Sequence, residues 1–435
     1  MRALILCKRV VLIACTLVIA CGEHAEDDHA DMQSHGEDGV GGDGAHVGAH
    51  TEPTLTWDQL SLGCAPMGSG EAAHIMCNHG HSLSLHNENL YERWLYAKAH
   101  GVQEPNENQL MMAGPIGDGV FPAPLTPVLR ARLGERTRIR VVSYGGTQFH
   151  DFHIHGHNWV DGGEQIDTKT VGPMESINKI EFFAGAGATD PTPRSGVGDW
   201  MYHCHVEVHA ITGMWGMFRV LPADSTAEVG KDGRYPEELD IPEGGTGTTV
   251  DVYLVAAEAP IQVARAYSPF NKTLDPVERL ARVYVRVPTK AAFDAATAAN
   301  IEALVDPVTF RPPVVRARQG TTLRMHLRNV MESAPCSLHV HGVQHSAKDD
   351  GTLPENVAHA GGAEVLQTWV ADAPGTWPMH DHARAIENIG RGLFGALVVT
   401  TAEEEARVDR DYLVFFHDYD MDWMMGSAEP SGDGH

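Results

Sequence analysis

The sequence predicts an all-β protein built from two β-sandwich domains. Three observations carry that prediction. Short runs of alternating polar and apolar residues are separated by turns, and the 435 residues include 45 Gly and 25 Pro, a composition of many turns and short strands. One domain-sized plan occurs twice: a strand pair, a His-x-His, a spacer, a second His-x-His and a closing apolar strand. Hydrophobic residues make up 43% of the chain, enough for real cores, while aromatics are only 7%.

The elements follow in order. Residues 1–21, "MRALILCKRVVLIACTLVIAC", carry basic residues and then an apolar run too short for a confident membrane-spanning helix. The run ends Val18-Ile19-Ala20-Cys21, which resembles a bacterial lipobox, so the expectation is a lipoprotein signal peptide with lipid on Cys21. That places the protein at the periplasmic face of a bacterial membrane, in an oxidising compartment. Residues 22–52 are rich in Gly, Asp, Glu and His with almost no apolar side chains, a disordered tether that could catch metal ions weakly.

The first sandwich domain is placed at 53–222. It includes an insertion at 57–107 with His74, Cys77, His79 and His81, which would shape a substrate site or form a lid, and within it "SLHNENLYERWLYAKAH" at 84–100 has helical spacing. Residues 223–249 read as a linker, 250–402 as the second sandwich domain, and 403–435 as a further strand and tail, the strand adding to the edge of one sandwich. The repeat is plainest where "RARLGERTRIRV" is echoed by "RARQGTTLRMHL".

Charge and cysteines narrow the function. A formal net charge of −26 argues against nucleic acid and suits a surface that attracts cations. Of seven cysteines, Cys7 and Cys15 leave with the signal and Cys21 carries lipid. Cys64 and Cys77 flank a short polar loop and could form a disulfide. Cys336 has no assigned partner.

Cys204 stands in "WMYHCHVEVHAITGMWG". On a strand, successive side chains face opposite sides, so His203 and His205 point one way and Cys204 the other. One strand can therefore serve two metal sites. A thiolate, two imidazoles and a weak thioether form the ligand set of a blue, type 1 copper. Cys204, His209 and Met214 have the spacing for three of these, and His150 is the candidate for the fourth. His153 with His155, His203 with His205, His339 with His341, and His380 with His382 make four His-x-His pairs. Eight imidazoles are the number a three-copper cluster needs while leaving positions open for oxygen.

In these motifs the chain resembles a two-domain multicopper oxidase of the small-laccase kind, over roughly residues 108–222 and 300–402. "WMYHCHVEVHAITGMWG", "GLFGALVV" and "HIHGHNWV" carry the likeness. The resemblance implies two cupredoxin-like Greek-key sandwiches and four copper ions per functional unit. His150, Cys204, His209 and Met214 would bind the type 1 ion, and His153 and His339 the type 2 ion. His155, His203, His205, His341, His380 and His382 would bind the type 3 pair. Asp167 and Asp350 resemble acids kept near the cluster and would relay protons. The order departs from the familiar small laccases, because the Cys-bearing domain comes first and Asp381 stands where the second domain would need its cysteine.

The activity implied is oxidation of phenols or metal ions by single electrons, coupled to four-electron reduction of dioxygen to water. Axial Met214 suggests a low-to-medium potential. Two-domain relatives close rings of three subunits, so a homotrimer is expected. Copper nitrite reduction is one alternative. Copper buffering or electron transfer without catalysis is another, with some support from Met111, Met112, Met421, Met424 and Met425. If Cys21 carries the lipid, Cys21→Ala should release a soluble form or block processing. An unchanged membrane fraction on cell fractionation would point to another anchor.

Overall fold

The computed structural model describes residues 81–102, 123–144, 148–332 and 334–418, together with the backbone of a strand pair at Cys64–Met67 and His74–Cys77. These two strands, β1 and β2, are antiparallel, with Cys64 opposite Cys77. Their side chains lie outside the described residues, as do Cys21, the tether, His79 and the methionines at 111, 112, 421, 424 and 425. No described helix is long and apolar enough to cross a membrane.

The first sandwich packs two sheets. One contains β4 (Val128–Arg132), β12 (Trp215–Leu221), β11 (Gly198–Cys204), β6 (His150–Ile154) and β9 (Thr168–Val171), adjacent in that order. The other runs β10 (Ser176–Phe183), β5 (Arg136–Tyr144), β22 (Arg410–Asp418) and β3 (His81–Leu83). A small hairpin, β7 (Trp159–Asp161) and β8 (Glu164–Ile166), lies beside them. Alternation is clear in β6, where His150, Phe152 and Ile154 are buried while Asp151 and His153 are half-buried.

The second sandwich repeats the plan. One sheet runs β14 (Thr273–Val287), β13 (Thr249–Ser268), β16 (Thr322–Asn329), β19 (Ala363–Val370) and β18 (Gln344–His345). The other runs β15 (Val314–Arg318), β21 (Phe394–Thr400), β20 (Gly375–His380) and β17 (His339–Val340). The echoed sequences form β4 with β5 and β15 with β16. In each domain the first of these strands pairs in parallel with the closing strand, β12 or β21.

Helix α1 (Leu90–Ala99) forms where the spacing predicts one, and the Asn89 side chain caps it by accepting from the Tyr91 and Glu92 backbone. The distal part of the β13–β14 hairpin reaches this region. Arg265 bonds Glu88 at 3.1 Å, and the Asn87 amide donates to the Val263 carbonyl at 2.6 Å. Short helices α2 (Glu207–Ile211), α3 (Lys290–Asp294), α4 (Ala298–Glu302), α5 (Ala385–Gly390) and α6 (Ala402–Ala406) occupy connections.

The strand expected at a sheet edge does not lie at one. β22 runs inside the first sandwich, parallel to β5 and antiparallel to β3, with all nine residues buried. The first sandwich therefore draws on residues beyond 403 as well as on 81–221. A strand this apolar, "DYLVFF", is costly to leave at an edge and is stable when paired on both sides.

β22 also joins the two sandwiches through charge. Arg140 of β5 grips both oxygens of Asp411, at 2.9 and 3.1 Å, and Arg316 of β15 bonds the same carboxylate. All three residues are buried. Nearby, the Tyr144 hydroxyl accepts from the Met379 amide at 2.8 Å and donates to the Gly395 carbonyl, tying β5 to β20 and β21. Removing one member of a buried ionic group leaves the others uncompensated, which costs about 3–5 kcal/mol. Asp411→Ala should therefore lower stability by about that much in chemical denaturation. A change under about 1 kcal/mol would show that Arg140 and Arg316 find water instead.

Candidate metal centre

The site is built on the antiparallel ribbon of β6 and β11. Cys204 lies opposite Phe152, His203 opposite His153 and Tyr202 opposite Ile154. One face of the ribbon thus carries Cys204, Tyr202, Phe152, Ile154 and His150 into the core. The other carries the imidazoles of His153, His155, His203 and His205 outward.

On the inner face, the Cys204 sulfur lies 3.7 Å from His150 Nδ1 and 3.5 Å from His209 Nδ1, and those two nitrogens are 3.2 Å apart. His209 enters from α2, and Met214 lies just before β12. The Met214 amide donates to the His209 carbonyl at 2.9 Å, and the Cys204 amide donates to the Met214 carbonyl at 3.0 Å. All four residues are buried. Burial pushes the Cys204 thiol up to about 12 and His209 down to about 3, the latter helped by His81 and His150. The thiol therefore ionises only with a cation to stabilise it. Two imidazole nitrogens converging on one sulfur fit a copper ion of the blue kind.

On the outer face, ring contacts link His153 to His155, His203 and His205, and His203 to both His155 and His205. The second domain matches this with His339, His341, His380 and His382. His339 lies opposite His380 in the β17–β20 pair. Among the described residues, the candidate metal groups and the histidine–histidine ring contacts of the two quartets stay within each quartet.

Backbone oxygens orient the rings. Nδ1 of His153 donates to the Asp167 carbonyl at 2.9 Å, that of His203 to Cys204 at 2.7 Å, that of His339 to Asp350 at 2.7 Å and that of His380 to Asp381 at 2.8 Å. Each of these rings then turns an Nε2 lone pair outward, the orientation a metal needs. Nε2 of His203 faces Nε2 of His155 at 3.2 Å, and Nε2 of His380 faces that of His341 at 3.1 Å. Burial lowers His203 to about 4 and His380 to about 3, with the neighbouring histidines adding to it. His155 and His341 move in the same direction for the same reasons. Neutral imidazoles are the ligating form.

The His-x-His-Gly turns have a steric cause. Gly156 and Gly342 take φ of +67° and +71°. A Cβ there would stand 2.6 Å from the Trp200 ring and 2.1 Å from the Trp377 ring. Only glycine allows each tryptophan to close over the turn.

The carboxylates of Asp167 and Asp350 are less directly placed than their carbonyls. Asp167 Oδ1 accepts from the Thr168 hydroxyl at 3.2 Å. Asp350 Oδ1 lies 2.9 Å from His345 Nε2 and 3.5 Å from His339 Nδ1.

Three residues at the inner centre carried no motif. The His81 ring stacks on His209 with centroids 4.0 Å apart. Gln148 Oε1 accepts from His209 Nε2 at 2.5 Å. Asp418 lies 3.5 Å from His150 Nε2. His81 and Asp418 arrive from distant segments, so no local spacing could have marked them, while Gln148 stands two residues before His150 without forming part of a recognised pattern.

In the second domain the inner face is different. Cys336 stands three residues before His339, as His150 stands before His153, and Asp381 takes the place of Cys204. Asp381 is buried and accepts from the Ser337 and Arg384 amides at 2.7 and 2.8 Å and from the Asn388 side chain at 3.0 Å. Cys336 is a buried free thiol.

Comparison with known proteins agrees with this geometry. Two family models, each described as multicopper oxidase, match residues 95–224 and 305–404. A probable nitrite reductase–hydroxylamine oxidoreductase fusion protein of Kuenenia stuttgartiensis is 33% identical over 93 residues, 21% of this chain and 10% of that protein. A multicopper oxidase of Cercospora beticola is 30% identical over 123 residues, 27% of this chain and 19% of that protein. The chain thus aligns with only about a tenth and a fifth of these relatives. Among solved structures, a multi-copper oxidase from Pediococcus acidilactici is 17% identical, with 38% of this chain and 29% of that chain covered and a TM-score of 0.26. A copper nitrite reductase from Nitrosomonas europaea is 18% identical, covering 64% and 84%, with a TM-score of 0.19. The two family matches together span just over half of the chain and enclose every candidate donor, and on that ground the chain belongs to the multicopper oxidase family.

Proposed function

We propose that the protein is a laccase-like oxidase that withdraws single electrons from a phenol or a metal ion and delivers four to dioxygen, forming two waters. The observation that carries this reading is the back-to-back placement of Cys204 and its flanking histidines on one strand. Copper bound at these positions would supply one-electron transfer and a place for dioxygen to be reduced.

The chain's own residues then have distinct tasks. His150, Cys204, His209 and Met214 would hold the electron-accepting ion. Cys204 is bonded through backbone to His203 and His205, so the route to the oxygen site runs mostly along covalent bonds. His153 and His339 would hold the type 2 ion, and His155, His203, His205, His341, His380 and His382 the type 3 pair. Asp350, bonded to His345 at 2.9 Å and to the Thr352 hydroxyl at 2.5 Å, would pass protons, as would Asp167. A lipid on Cys21 would hold the enzyme at the periplasmic face of the membrane.

Copper nitrite reduction is a second reading, favoured by the name of the Kuenenia relative. It needs three histidines around one further copper. It gives no task to the full quartets, which here include the exposed His205 and His382.

The deciding experiment is copper analysis with parallel assays of oxygen uptake and nitrite consumption, using a phenol and Cu(I) as reductants. About four coppers per chain and oxygen uptake are expected, and Cys204→Ser should abolish the blue colour and the turnover while copper still binds the histidines. Nitrite consumption without oxygen uptake would overturn the oxidase reading, and full turnover in Cys204→Ser would overturn the assignment of Cys204.

We also propose that each oxygen site forms between two chains of a homotrimer. Support comes from the partial exposure of both quartets, each of which offers only half of the ligands. Head-to-tail contacts that close on themselves give rings of this kind. His153→Ala and His380→Ala should each be inactive alone, and coexpression should restore activity if a site draws one quartet from each of two chains. A trimer without recovery would put each site within one chain, and a fully active monomer would exclude the ring.

A further inference from the structure

His81 and Asp418 lie outside both segments matched by the family models, yet both abut the Cys204 centre. They are direct partners across the antiparallel pair of β3 and β22. That pair ends a sheet and turns two polar side chains inward, where the other inward residues, Leu83 and Phe416, are apolar core.

Each polar group meets one candidate ligand of copper. The His81 ring is fully buried and stacks on His209, at an interplanar angle of 20°. Its Nδ1 lies 2.9 Å from the Thr212 hydroxyl, in the turn between His209 and Met214. Asp418 Oδ1 lies 3.5 Å from His150 Nε2 and 3.7 Å from His81 Nε2. Among the described residues, neither carboxylate oxygen of Asp418 has a hydrogen-bond partner, and His150 Nε2 has none either.

A buried carboxylate left in that condition is costly. What would satisfy it is an N–H, and the chemistry of the site supplies one. Nδ1 of His150 points at the Cys204 sulfur. An imidazole that ligates through Nδ1 carries its proton on Nε2, the atom that faces Asp418. Small closure of the 3.5 Å gap makes a hydrogen bond that holds the ring in its ligating orientation. A fixed negative charge beside a ligand ring also favours the more positive oxidation state of the ion.

We propose that Asp418 is a positioning residue of the Cys204 copper centre. It orients His150 through Nε2–H and lowers the reduction potential, with His81 bracing His209 from the same strand pair. This rests on Cys204 being a blue-copper ligand. The chain's last described strand thereby completes a centre whose ligands lie more than 200 residues earlier.

The test uses the full-length, copper-loaded protein. Asp418→Asn keeps the shape and removes the charge, and Asp418→Glu keeps the charge. Each is followed by redox titration of the blue band and by electron paramagnetic resonance of the same ion. Asp418→Asn should move the midpoint potential to a more positive value and alter the hyperfine pattern, with Asp418→Glu lying nearer to wild type. Wild-type potential and spectrum in Asp418→Asn would overturn the proposal. Should that variant not fold, pulsed resonance of the wild-type protein decides. A proton on the remote nitrogen of His150 that resists exchange with heavy water supports the hydrogen bond, and one that exchanges at once overturns it. A wild-type protein with copper but no blue band would overturn both this proposal and the reading of Cys204, and it would do so before any Asp418 variant is made.

Discussion

A β-strand turns successive side chains to opposite sides, and every part of this site depends on that alternation being held in one register. A slip of one residue between β6 and β11 would bring the Cys204 sulfur to the surface and drive imidazoles into the core. Several interactions pin the register. Tyr202, Phe152 and Ile154 fill the core beside the sulfur. The Tyr202 hydroxyl donates to the Pro127 carbonyl at 2.6 Å, and the His205 amide donates to the Asp151 carbonyl at 2.6 Å. The apolar packing that stabilises the sandwich is thus the same packing that keeps two donor sets apart by the thickness of one strand.

β22 extends the constraint across the molecule. At one end Asp411 joins Arg140 of the first sandwich to Arg316 of the second. At the other end Asp418 sits beside His150. Between them lies an apolar run that would be a liability at an edge and is a core strand here. A single strand therefore couples the contact between sandwiches to the surroundings of the inner donor set.

How much was legible in the sequence follows from the range of the interactions involved. The His-x-His pairs, Cys204, His209 and Met214 sit in local patterns whose meaning depends only on strand alternation and short loops, and the structure brings the Cys204–His209 pair and each set of histidines together, with Met214 joined to them through its backbone. The helix at 90–99 was legible from the helical spacing of residues 84–100, and the structure adds its Asn89 cap. The position of β22 was not, because pairing with β5 bridges some 270 residues and the strand's own pattern does not name a partner. For the same reason His81 looked like one more histidine of an insertion, and Asp418 like a residue of a tail. The carboxylates of Asp167 and Asp350 mark a different limit. Sequence located the residues, but their carbonyls rather than their carboxylates make the closest contacts with the histidines.

The two sandwiches also show why a duplicated plan keeps one face of the ribbon and loses the other. The outer quartet needs only two His-x-His pairs on neighbouring strands, and both sandwiches have them. The inner set needs donors from β6, from β11 and from the following loop at once. With one donor gone, the remainder are buried polar groups without a purpose, and each is costly. In the second domain the inner face has been resolved in the opposite direction. Asp381 is held by three donors, Cys336 is packed in the apolar core, and the residue aligned with His209, Ile386, faces solvent at 91% exposure. Two backbone amides and the Asn388 side chain already occupy the Asp381 carboxylate, and no imidazole stands where His209 does in the first domain. On the proposed function, the electron-accepting ion would then belong to the first sandwich, and the second would contribute imidazoles alone.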